Sequence, residues 1–166
     1  MRTQLGIGSS FEAWLPCAAA PETAGPTHAP ALPLGNGETV LLLDDDRDRL
    51  LKNEEVLAAL GYEPVGFSRA DEALAAFRGA QNRFDAAVLT VRGIANLIDV
   101  AIALRRAAAE LPVVLAMPIS DHVDADAFAA ARITEIVCNP LAAIEIAAAL
   151  ARCRAGAMRP EHQTID

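Results

Sequence analysis

"TVLLLDDDRDRLLKNEEVLAALG", residues 39–61, changes its period in the middle. The opening "TVLLLD" is an unbroken apolar run ending on an acid, the composition of a strand buried on both faces inside a parallel sheet. After the acidic triplet Asp44, Asp45 and Asp46 the spacing turns helical. Leu50, Leu51, Val56, Leu57 and Leu60 are assigned to the inner face of that helix, and Gly61 to its stop.

The same alternation repeats toward the C-terminus. Strands are predicted at 62–67, 84–90, 112–117 and 134–138, and helices at 68–79, 96–110, 121–132 and 141–154, the first of these capped by Ser68. Five βα units imply an α/β fold, a doubly wound sandwich with helices on both faces of a parallel sheet. Ligands in such folds bind at the carboxyl ends of the strands, which directs attention to Asp44–Asp46, Thr90, Met117 and Asn139.

Composition narrows the function. With 166 residues and 53% hydrophobic content the chain can build a core. The net charge is −8, Lys52 is the only lysine, and only Arg105 and Arg106 are adjacent arginines, so no basic stripe exists to follow a nucleic acid. Cys17, Cys138 and Cys153 have no metal-ligand spacing and read as reduced thiols. His28 and His162 have no partners at ligand spacing, and the acids beside His122 read as a helix cap, Ser120 or Asp121, and a first-turn acid, Asp124, rather than as a metal site. No run approaches the roughly 20 apolar residues of a membrane span, and "MRTQLGIGSSFEAWLP" lacks the apolar stretch of a signal peptide, so a cytoplasmic location is expected.

Residues 17–37 are rich in proline and alanine without periodicity and read as a linker. They separate a short segment, 1–16, from a domain spanning 38–155. Residues 156–166 are expected to be a disordered tail.

"TVLLLDDDRDRLL", "LGYEPVGFSRADEALAAF", "FDAAVLT", "LPVVLAM" and "IVCNP" together resemble the receiver domain of two-component response regulators over residues 39–154. The resemblance implies a flavodoxin-like (βα)5 three-layer sandwich with strand order 2-1-3-4-5. It also implies an acidic pair for Mg²⁺ at Asp44 and Asp45, a phosphoryl-accepting aspartate at the position of Thr90, a hydroxyl residue at Met117 and a lysine at Asn139, before Pro140. In that chemistry a carboxylate attacks phosphorus while Mg²⁺ neutralises the phosphoryl oxygens.

Four of these positions carry the wrong side chain or context. Thr90 has no carboxylate, Met117 no hydroxyl and Asn139 no charge, and "VRGIANLID" lacks the Met-Pro and Asp-Gly that follow the acceptor in the family. Asp85 does not replace the acceptor, since five residues of strand place it ~16 Å away. The expectation is a non-phosphorylatable pseudo-receiver, not an enzyme, with no cofactor and at most weak Mg²⁺ binding through Asp44 and Asp45, which then act as favourable charges at a helix start.

"LGIGSSFEAWLP", 5–16, is similar to the last hairpin of histidine-kinase ATPase domains. A kinase end, a linker and a receiver in that order imply the C-terminal part of a hybrid sensor kinase. Expected partners are a histidine kinase or another receiver. A homodimer through the fourth helix, fifth strand and fifth helix is also expected, with Ile146, Leu150 and Cys153 as either a contact stripe or core. Two alternatives stand beside this reading. One is a genuine phospho-acceptor using the Asp44/Asp45 pocket. The other is a haloacid-dehalogenase-like phosphohydrolase, suggested by "LLLDDDRD" and "AVLT" but short of its lysine and second acidic pair.

Overall fold

A computed structural model describes residues 2–4, 8–10, 32–90, 93–118 and 125–157. Within the first of two units, Met1–Ala31, strands β1 (Arg2–Gln4) and β2 (Gly8–Ser10) pair antiparallel, Arg2 opposite Ser10. The second unit, Leu32–Asp166, contains the five predicted parallel strands. They are β3 (Thr39–Leu43), β4 (Glu63–Phe67), β5 (Ala86–Leu89), β6 (Val113–Met117) and β7 (Glu135–Cys138). Their order is β4-β3-β5-β6-β7, the 2-1-3-4-5 arrangement of a flavodoxin-like doubly wound sandwich.

The crossovers are α1 (Arg47–Ala59), α2 (Ala70–Gly79), α3 (Ile94–Ala107) and α4 (Ala125–Ala131), and α5 (Ala143–Ala157) closes the domain. Alternation along the strands divides the core in two. Val40, Leu42, Val88, Val114 and Val137 face Leu57 of α1 and Ile146 and Leu150 of α5. Leu41, Leu43, Leu89 and Leu115 face Phe77 of α2 and Leu104 of α3. The continuous apolar runs thus serve both faces at once, as a sheet covered on both sides requires.

Several sequence expectations change. Leu51 is 52% exposed, and the third buried residue of α1 beside Leu50 and Leu57 is Asn53. Ser68 does not cap α2, which starts at Ala70 after Arg69 and has no side-chain cap. Strand pairing sets this offset: Asp44 N donates to Phe67 O at 3.0 Å, so the chain needs Ser68 and Arg69 to leave the sheet. Ile146, Leu150 and Cys153 are buried at 0, 2 and 4%, so the stripe belongs to the core. Cys17, His28, His122 and His162 lie outside the described residues. Among the described residues no helix is long and apolar enough to cross a membrane.

The end of the segment read as linker is built into the second unit. Gly35 N donates to Leu60 O and Gly37 N to Gly61 O, both at 2.8 Å, while Arg154 Nη2 donates to Leu34 O at 3.0 Å. This strap needs glycine at two places. Gly61 has φ +84°, and a Cβ there would lie 2.8 Å from Gly35 O; a Cβ on Gly35 would lie 2.8 Å from the Tyr62 ring.

Gly61→Ala is therefore expected to lower unfolding free energy by about 2 kcal/mol, combining the left-handed backbone with a collision against a carbonyl. Gly79→Ala, at the end of α2 with open space around it, should be neutral or stabilising by less than about 1 kcal/mol. Urea unfolding of both variants checks the contrast, and equal effects would contradict the packing described.

Candidate functional site

The turn after β3 gathers the acidic residues because its strand ends against β5 on one side and β4 on the other. Asp44 follows the last buried leucine and is itself 0% exposed. A carboxylate there needs partners for every lone pair.

It has them. Asp44 Oδ1 accepts from Arg49 Nη2 at 2.6 Å and from the Asp46 amide at 2.9 Å. Asp44 Oδ2 accepts from Arg49 Nε at 2.7 Å and from Asn53 Nδ2 at 3.3 Å. Four donors meet the roughly four acceptor sites that a carboxylate offers. The Arg49 contact is the paired, fork-shaped geometry in which a guanidinium binds a carboxylate most strongly.

Local sequence makes this possible. Asp46 caps α1, its side chain accepting from Arg49 N at 3.2 Å, and that cap sets the first turn. The turn in turn aims Arg49 back over the strand end. A cation in the first helical turn opposes the helix dipole, and Asp44, Asp45, Asp46 and Asp48 offset it. Its bonds to Asp44 are the leading reason that the Arg49 guanidinium is held above its already high pKa. It is a permanent charge at any physiological pH.

Arg49 Nη2 also donates to Asp45 Oδ1 and to Thr90 O, both at 3.2 Å. One guanidinium nitrogen thus joins three of the groups singled out in the sequence. Thr90 itself is 2% exposed, and both its amide (2.8 Å) and its hydroxyl (2.9 Å) donate to Leu43 O. Its hydroxyl is spent on the neighbouring strand. Asp85 sits at the opposite end of β5, where its carboxylate accepts from Thr39 N at 2.8 Å.

The remaining positions stand at the next strand ends. Met117 is 6% exposed and ends β6; Asn139 follows β7, donates its amide to Met117 O at 3.0 Å and precedes Pro140 through a cis bond. Asn139 Oδ1 is buried without a hydrogen-bond partner among the described residues.

The residues present do not fit a resident Mg²⁺. A cation of that kind needs free carboxylate oxygens, and those of Asp44 are saturated by protein donors. Among the described residues no three His, Cys, Asp or Glu side chains are placed to share a metal ion. The sequence reading missed Arg49. Its signal was the spacing: an arginine three residues after the cap and five after the buried acid, on the helix turn that faces the strand end.

A second concavity, about 1000 Å³, lies between α4 and α5 across β7 and is lined by Met117, Phe128, Ile136, Ile144, Ala148 and Arg152. Ile144 is 69% and Ile136 48% exposed. The Arg152 guanidinium bonds Glu135 Oε1 at 2.8 Å and holds that carboxyl below its usual range.

No family profile matches the sequence. Similar solved structures include a response regulator receiver domain protein from Clostridium thermocellum, with a TM-score of 0.65 and 18% identity over 74% of this chain and 99% of that one. Chemotaxis protein CheY4 of Vibrio cholerae superposes at 0.61 with 21% identity, over 70% of this chain and 98% of its own. The signal receiver domain of an HD domain-containing protein from Pseudomonas fluorescens gives 0.58 and 16%, over 75% and 91%. The second unit has the receiver-domain fold.

Arg49→Ala strands a buried carboxylate and should destabilise the chain by about 2–3 kcal/mol, somewhat less than for a fully buried pair because Arg49 keeps 22% exposure. Arg49→Lys loses the fork and should recover less than half of that. Denaturant midpoints test this, and an Arg49→Ala variant as stable as the wild type would refute it.

Proposed function

We propose that the chain is a receiver-like signalling module of a two-component phosphorelay that works by protein contact and does not take a phosphoryl group. One observation carries the proposal: Arg49 occupies the acidic pocket and binds Asp44, Asp45 and the Thr90 carbonyl together. Phosphoryl transfer to a receiver-type site needs a nucleophilic carboxylate and a cation free to meet the incoming oxygens. Here the nucleophile's position holds a buried threonine bonded to backbone, and the cation is covalently part of α1.

The contact surface in this reading is the groove over β7. Its apolar stripe on α5 is Ile144 and Ala148, continued by Arg152, one helical face away from the buried Ile146, Leu150 and Cys153. Exposed isoleucines rimmed by ion-paired charges suit a histidine kinase, another receiver or a second copy of the chain. The antiparallel pair β1–β2 is in keeping with the end of a kinase ATPase domain preceding the receiver in a hybrid sensor kinase.

The phospho-accepting alternative has against it the saturation of Asp44. Incubation of the full chain with phosphoramidate and Mg²⁺, read by intact mass, is expected to leave the mass unchanged. A stable adduct of one phosphoryl group, about 80 Da, abolished by Asp45→Asn would overturn the proposal.

A further inference from the structure

At the amino edge of the sheet, opposite Asp44, a smaller cavity of about 220 Å³ is lined by Val40, Ala86 and Leu150, with Glu38 and Arg154 at its rim and Tyr62 in its wall. Tyr62 is 5% exposed, and its hydroxyl is buried with no hydrogen-bond partner among the described residues. A buried phenol nearly always finds one.

The neighbours are already engaged. Arg154 Nη1 is bonded to Glu38 Oε1 at 2.7 Å and Nη2 to Leu34 O at 3.0 Å. Glu38 Oε2 accepts from Asn36 N at 2.6 Å, and Asp85 Oδ2 from Thr39 N at 2.8 Å. Cys153 is neutral, its thiol pushed up to about 11 by burial. Tyr62 shares the lining of this cavity with Glu38, Cys153 and Arg154. Gly35 is seated against the ring edge, so the ring cannot swing away to seek a partner.

The geometry points to a binding site for a neutral, largely apolar single-ring molecule with one hydrogen-bond acceptor, held by the Tyr62 hydroxyl as donor. Size sets the upper limit: cavities of about 150 Å³ hold benzene, so about 220 Å³ admits one ring and a carbonyl-sized substituent. Glu38 and Asp85 outnumber Arg154 around the opening, and Arg154 is already bound to Glu38, so the net negative charge there disfavours anions. A charged ring of either sign would also leave water for a wall of aliphatic side chains around one phenol. The rim residues Glu38 and Arg154 hold the strap, so an occupant would sit where segment 32–38 meets the end of α5.

Acetophenone is the probe, titrated into the ¹⁵N-labelled full chain with benzoate as the charged comparison. Saturable shifts at the Val40, Tyr62, Ala86 and Cys153 amides are expected in the millimolar range, with benzoate binding at least several-fold more weakly. Tyr62→Phe removes only an unpartnered hydroxyl and should fold with an unchanged or higher melting temperature. Its acetophenone affinity should fall about fivefold to tenfold, the worth of one hydrogen bond. No saturable shift at those amides, equal affinity in Tyr62→Phe, or benzoate binding as tightly as acetophenone would overturn the assignment.

Discussion

Asp44 follows a strand of leucines with no access to water, and Arg49 reaches back from the first turn of α1 to bind both its oxygens. Remove the guanidinium and a buried carboxylate is left with one amide and one side-chain nitrogen; remove the carboxylate and an arginine is left over a strand end. Such a pair adds little net stability relative to apolar residues of the same volume, since desolvation consumes most of the attraction. Its consequence is geometric. It fixes α1 against β3, and through the Thr90 carbonyl against β5, at the point where the strand order reverses.

That point is where folds of this kind usually place their chemistry. A dissociable ion there makes a site responsive to its ligand, because occupancy varies with concentration. A tethered guanidinium removes the variable. In the proposed reading the domain's remaining means of communication are its surfaces, above all the groove between α4 and α5.

The fold was legible because the central strands β3, β5 and β6 are apolar runs short enough to exclude a helix. Leu51, Ser68 and the stripe Ile146–Leu150–Cys153 were misread or left open for physical reasons. Alanine-rich helices carry little contrast between faces, so the sheet decides which face turns inward. Ser68 looked like a cap, but the pairing of Phe67 with the end of β3 delays the helix by one residue. The absence of a carboxylate at Thr90 was plain in the sequence. The occupation of the pocket was not, because it depends on the angle at which α1 leaves the turn, which the Asp46 cap sets in three dimensions.

Magnesium titration followed by ¹⁵N amide shifts addresses the tethered cation most directly. The account predicts no saturable movement of the Asp44, Asp45, Asp46 and Thr90 amides at millimolar Mg²⁺ in the wild type, and saturable movement in Arg49→Ala, where the carboxylates are released. Saturable shifts at these amides in the wild type would contradict it, because the pocket would then be open to an ion despite Arg49.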